Sequence, residues 1–131
     1  MIGLDTNLLL RAVTKDDAIQ SPVARHLLRQ LTKQTPGYIN IIVLSEFAWT
    51  LDRRYAYSRA QIGEAIESLL ASTSYAFAER DAVNRALTRA EEQALDFPNS
   101  LLCELNIVAG CTTTMTFDKK AARHPGFSHA G

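Results

Sequence analysis

Cysteine is scarce, with Cys103 and Cys111 the only two in 131 residues. The first residues, Met1-Ile2-Gly3-Leu4-Asp5, also lack the basic and apolar regions of a signal peptide. A cytoplasmic chain with reduced thiols is therefore the expectation. Cys103 falls in an apolar helical stretch and Cys111 opens a strand, which predicts both as small core hydrophobes rather than ligands or nucleophiles. Neither sign of charge is in excess, with 14 lysines and arginines against 14 aspartates and glutamates. No global field then draws the chain to nucleic acid, and any nucleic-acid site must be a local patch. The longest apolar runs fall far short of a membrane span, so a soluble chain with no membrane partner is expected. There is no internal repeat, low-complexity tract or long linker. No Gly-rich phosphate loop is present, which leaves a phosphoryl-transfer reading with Asp5 as nucleophile unsupported.

What the sequence does have is apolar content, 47% of its residues. At this length that is enough to bury one core without metals or disulfides, so a single domain over 1–131 is the default. Met1 to Leu4 reads as a short buried strand ending at the polar Asp5-Thr6-Asn7. Ser21-Pro22 reads as a cap and first helical position, with Val23, Leu27, Leu28 and Leu31 at helical spacing behind it. Tyr38 to Leu44 is rich in β-branched residues without clean alternation, as in a strand covered on both faces of a parallel sheet. A helix then begins at Ser45-Glu46, and Ser58 with Gln61 forms a capping box for the next, lined by Ile62, Ile66, Leu69 and Leu70. Ser74 to Ala78 predicts a short strand. Glu79 to Ala94 predicts a helix with Val83, Leu87 and Ala90 inside and a solvated charged face. Asp96-Phe97-Pro98-Asn99 opens a helix with Leu101, Leu102, Leu105 and Val108 as its stripe, and Gly110 ends it. Cys111 to Thr116 is strand-like, Lys119 to Arg123 a short basic helix, and the remainder a tail.

Strands alternating with helices require crossover connections, so the predicted fold is α/β, with a mostly parallel central sheet flanked by helices. Ligands in such sheets bind beyond the carboxyl ends of the strands. Asp5, Glu46 and Asp118 each follow a predicted strand, and Asn99 lies in the first turn of its helix. Crowded carboxylates repel and are costly to desolvate, so a cluster of them serves best to hold a cation. Oxygen donors without histidine or cysteine favour Mg2+ or Mn2+ over zinc, and one or two such ions can stabilise the attacking and leaving oxygens of a phosphodiester. Each residue also has a plain structural role open to it. Asp5 and Asp118 can cap the segments that follow, Glu46 can answer the helix dipole, and Asn99 can be an ordinary helix-start residue. Their shared position at one end of several elements is what favours the site.

Leu4-Asp5-Thr6-Asn7, Leu44-Ser45-Glu46-Phe47-Ala48-Trp49, Asp96-Phe97-Pro98-Asn99 and Gly110-Cys111 through Thr116-Phe117-Asp118 together resemble the PIN-domain family, specifically its VapC-type toxins. The likeness runs nearly end to end in order and spacing. It implies a PIN-like three-layer fold, a Mg2+- or Mn2+-dependent endoribonuclease acting on RNA, a cognate antitoxin protein and a homodimer. By position it assigns the metal-binding and catalytic roles to Asp5, Glu46 and Asp118. The family's third acidic residue corresponds to Asn99, which offers a carbonyl oxygen but no charge and should weaken the site. A weakened natural site, a substitution introduced to tame a toxic chain, and compensation by Asp96 all stay open. Compensation is the least favoured, since Asp96 is placed to bond helix amides. A catalytically inactive PIN-fold module binding an antitoxin or RNA is the alternative.

The resemblance further suggests Asn7 and Thr116 as residues that hold ligands or water by hydrogen bonds. Arg11, Lys119, Lys120 and Arg123 fall near the same edge, as phosphate contacts or as solvated charges. Trp49, Tyr55 and Tyr57 with Arg53 and Arg54 form an aromatic and basic segment suited to a partner interface, although core packing explains Trp49 equally well. His124 and His129 have no metal-ligand spacing.

Overall fold

A computed structural model describes residues 1–131, with six α-helices and five short strands in an alternating order. The chain divides into two compact units, Met1–Ala78 and Glu79–Gly131. All strand pairings in both are parallel, so the α/β class is observed. No helix is long and apolar enough to cross a membrane.

In the first unit, β1 (Ile2–Gly3), β2 (Gly37–Ile39) and β3 (Tyr75–Phe77) form a three-stranded sheet in that order. Ile2 pairs with Gly37, and Gly37 in turn with Tyr75. The strand expected to be buried at the start of the chain is instead an edge strand. With a partner on one side only, β1 leaves Ile2 exposed, and burial begins at Leu4. β2 is central, and at its Gly37 a Cβ would stand 2.7 Å from Leu4 Cδ1 and 2.8 Å from Leu31 Cδ1, so any side chain there would have to push these two methyls aside.

The helices of this unit follow their caps. Asp5 accepts from the Leu8 amide at 2.9 Å and starts α1 (Thr6–Thr14), a helix that sequence periodicity did not reveal. α2 spans Gln20–Arg29, and Asp17 rather than Ser21 caps it. Its carboxylate accepts from the Ile19 and Gln20 amides, while Ser21 is buried inside the first turn. The buried face of α2 is Ser21 and Ala24, so Val23 and Leu27 lie outside, contrary to the apolar stripe expected. The run Tyr38 to Leu44 is not one strand. Asn40 accepts from the Val43 amide at 2.9 Å and converts the β-branched segment into the start of α3 (Ile41–Tyr55). There Val43, Leu44, Phe47, Ala48 and Leu51 form one buried face, and burial outweighs the weak helix preference of Ile41, Ile42 and Val43. α4 (Arg59–Ala71) opens with the expected Ser58–Gln61 capping box and buries Ile62, Ile66 and Leu69.

In the second unit, α5 (Arg80–Gln93) packs on α6 (Phe97–Val108), and β4 (Thr114–Thr116) pairs parallel with β5 (Phe127–His129). A single 3-10 turn, Ala121–Arg123, makes the crossover between the two strands. The segment read as a tail thus contains a strand. Leu95, Cys103, Ala121 and Phe127 form its apolar cluster. Gly126, with φ of +92°, passes so close that a Cβ would stand 2.6 Å from the Cys103 sulfur. Cys103 is buried as expected, but Cys111 is exposed. Cys111 sits in the turn where its amide closes the end of α6 onto the Asn106 carbonyl, before the strand begins. The buried face of α6 is Phe97, Ser100, Leu101, Cys103 and Glu104, which leaves Leu102 and Val108 outside.

Candidate functional site

Asp5 and Glu46 belong to the first unit. Asp5 follows the carboxyl end of β1, and α3 begins one residue after its parallel neighbour β2. Glu46 stands in the second turn of α3, not the first, because Asn40 starts that helix earlier than expected. The helix-dipole explanation for this glutamate loses its force there, since the effect fades beyond the first turn. Both side chains are exposed. Asp5 commits Oδ1 to its cap and leaves Oδ2 open, and Glu46 makes no hydrogen bond or ion pair within the chain.

Asn99 and Asp118 belong to the second unit. Asp96 caps α6 through Oδ1, 2.8 Å from the Asn99 amide, and its Oδ2 accepts from Asn99 Nδ2 at 2.9 Å. A carboxylate only accepts, so the amide nitrogen of Asn99 must face Asp96, and Asn99 Oδ1 remains free. Asp96 is thus the helix cap expected of it. Asp118 likewise caps the 3-10 turn, with Oδ1 accepting from the Lys120 and Ala121 amides at 2.9 and 3.1 Å. Thr116 Oγ1 accepts from the Asp118 amide at 3.0 Å and so orients this residue, whereas the exposed Asn7 side chain makes no hydrogen bond.

Each of the four candidates therefore keeps at least one uncommitted oxygen, and all are hard donors of the kind Mg2+ and Mn2+ take. Within neither unit do three histidine, cysteine, aspartate or glutamate side chains gather as a metal-holding group. Magnesium is often held by one or two carboxylates with the remaining positions filled by water, so the donor chemistry fits the ion.

Several charged residues have roles that the sequence did not reveal. Arg11 is not turned to solvent. Its Nε donates to Gln20 Oε1 at 2.8 Å, and its Nη1 meets the Asp16 carboxylate at 3.1 Å. Tyr55 closes this network, its hydroxyl donating to Asp16 Oδ2 at 2.5 Å. The Tyr55 hydrogen bond, joined by those of Thr14 and the charge of Arg11 and opposed by partial desolvation, holds the Asp16 carboxyl below its ordinary range. In the second unit the charged face of α5 is not wholly solvated. Arg85 and Arg89 each place Nε 3.2 Å from a carboxylate oxygen of the buried Glu104. Their spacing of four on one helix was the available signal, but the partner on α6 sat in an apolar stripe. Trp49 is not core, being 56% exposed, and the Arg53 guanidinium lies 5.8 Å from its ring centre. His129 lies in β5, with Nε2 3.2 Å from the Phe117 carbonyl oxygen.

Compared with protein-family models the chain has no match, and compared with curated proteins it has none either.

Proposed function

We propose that the chain is a PIN-type endoribonuclease that cleaves RNA with Mg2+ or Mn2+, built as a VapC-like toxin and weakened at Asn99. One observation carries the reading. Asp5 directly follows β1, Glu46 lies in the second turn of the helix that follows the neighbouring parallel strand β2, and neither exposed carboxylate is neutralised by an arginine or lysine. Parallel α/β sheets bind ligands at that edge. Asp5 spends one oxygen on the α1 cap and keeps the other open, and Glu46 makes no hydrogen bond or ion pair within the chain, so both have oxygens available to a ligand.

Asp5 and Glu46 would hold the ion in the first unit, and the resemblance alone adds Asp118 and the amide oxygen of Asn99 as further ligands. When bound, the divalent ion supplies Lewis acidity toward the phosphodiester and acidifies the attacking water. The chain's own contribution is orientation. The Leu8 amide fixes Asp5, the Lys120 and Ala121 amides fix Asp118, and the Thr116 hydroxyl steadies the Asp118 backbone. The reading carries with it a three-layer PIN arrangement, a cognate antitoxin and a homodimer.

Asn99 favours a second reading, an inactive module of the same fold. Its side chain already serves the α6 cap, a use that needs no metal. Incubating purified protein and RNA with manganese, beside Asp5→Asn and Glu46→Gln variants, separates the two. The ribonuclease reading expects cleavage that EDTA and either substitution abolish. Metal-independent products, or none under any divalent ion, would remove it.

A further inference from the structure

The outer face of α3 carries Ile42, Glu46, Trp49 and Arg53 as one stripe. At 3.6 residues per turn these positions fall within a narrow arc, directly opposite the buried Val43, Leu44, Phe47, Ala48 and Leu51. All four stripe residues are exposed. Large aromatic rings on a helix ordinarily turn inward, and this helix has a buried face that Trp49 does not join. The Arg53 guanidinium lies over the same ring at 5.8 Å, and its own acidic neighbour Asp52 is 3.8 Å away in a pair exposed on both sides, too weak to occupy it.

We propose that Trp49 is a stacking platform for an unpaired base of single-stranded RNA, with Arg53 contacting the adjoining phosphate. The inference rests on the ribonuclease reading for its substrate class, and it adds which face of the chain receives the strand. Three properties of the stripe fit this occupant. An exposed indole offers a π face to any base, and an arginine beside it offers a phosphate contact, which is the pairing that single-strand binding uses. Glu46, one turn before Trp49, sets a candidate ion-binding carboxylate beside the platform, so a stacked base brings its phosphate toward it. A duplex keeps its bases stacked on each other and cannot offer one, so the surface selects unpaired strands.

Trp49 is the only tryptophan, so its emission reports this position alone. Titration with oligoadenylate of about ten nucleotides, in calcium and again in EDTA, should quench that emission, while a duplex of equal length should not. Binding read by anisotropy of labelled oligoadenylate should weaken roughly tenfold for Trp49→Ala and stay near the parent value for Trp49→Phe, which retains a stacking ring. In manganese, Trp49→Ala should raise KM by a similar factor and leave kcat nearly unchanged. Absence of quenching, or Trp49→Ala binding within twofold of the parent, overturns the inference even where cleavage is intact. If Trp49→Ala instead changes the oligomeric state and not RNA binding, the stripe is a protein contact and the inference is likewise overturned. Quenching without any metal-dependent cleavage would keep the platform and discard the ribonuclease.

Discussion

Replacing Asn99 with aspartate changes two things at once at the start of α6. The hydrogen bond from Asn99 Nδ2 to Asp96 Oδ2, 2.9 Å in the parent, is lost, and a second carboxylate takes its place. At this solvent-exposed site the hydrogen bond contributes about 1 kcal/mol, the typical net value for a hydrogen bond in a folded protein. Two like charges about 4 Å apart in water cost ~1 kcal/mol more. The new charge lies in the first turn, where the helix dipole returns about 0.3–1 kcal/mol. The balance is a destabilisation of about 1 kcal/mol, or roughly 4 °C in Tm for a chain of this size. Thermal unfolding in EDTA at neutral pH measures it, and 1 M salt should reduce the Coulomb part while leaving the lost hydrogen bond. If position 99 faces a divalent ion, manganese at about a hundredfold excess over its Kd should stabilise Asn99→Asp by about 2.7 kcal/mol and raise its Tm more than that of the parent. A variant as stable as the parent in EDTA would refute the hydrogen-bond argument. Equal manganese shifts in both proteins would refute a metal role for this position.

Other outcomes follow from single features. Ala56 ends α3 in the left-handed region, at φ of 54°, with its amide on Asp52 and the Tyr57 amide on Leu51. Ala56→Gly relieves about 1–2 kcal/mol of strain and returns about 0.5–1 kcal/mol as unfolded-chain freedom, so denaturant unfolding should show a small net gain. The depressed Asp16 carboxyl contributes stability above the ordinary aspartate pKa of about 3.9, and that contribution is lost as pH falls through its lower folded value. Tyr55→Phe removes the largest cause, so unfolding followed from pH 7 to 2 should show a shallower acid loss than the parent. In the native protein a thiol reagent should label Cys111 rapidly and Cys103 only on unfolding, because burial both shields the Cys103 sulfur and pushes its pKa up. Two fast equivalents would contradict the packing of the second unit.

The features legible in the sequence are the local ones. Ser58 with Gln61 and Asp96 with its helix act across three residues, so their pattern is complete within a short window. The α/β order follows in the same way from alternating segments. The misreadings come from competition between local preference and distant packing. Ile41, Ile42 and Val43 look like strand in isolation, but one hydrogen bond to Asn40 and a buried face of five residues make them helix. Leu8 to Leu10 gave no usable periodicity, and only the cap by Asp5 marks that helix. Asp16 with Tyr55, and Glu104 with Arg89, are pairs brought together by folding, and nothing near either residue announces the other. The same holds for the candidate site, where residue types and element ends are readable but oxygen positions are not. Trp49 shows the limit in one residue, since its exposure depends on which face of α3 the core covers.

Because every strand here runs parallel to its neighbour, no pairing can form from a hairpin as the chain leaves the ribosome. Ile2 is synthesised well before Gly37 and waits for it, as Gly37 waits for Tyr75 before the first sheet is complete. β4 is left until Phe127 to His129 have emerged. Helices can form during that interval, but both ladders close late, and a nascent chain cut short before Phe127 carries a strand with an open edge.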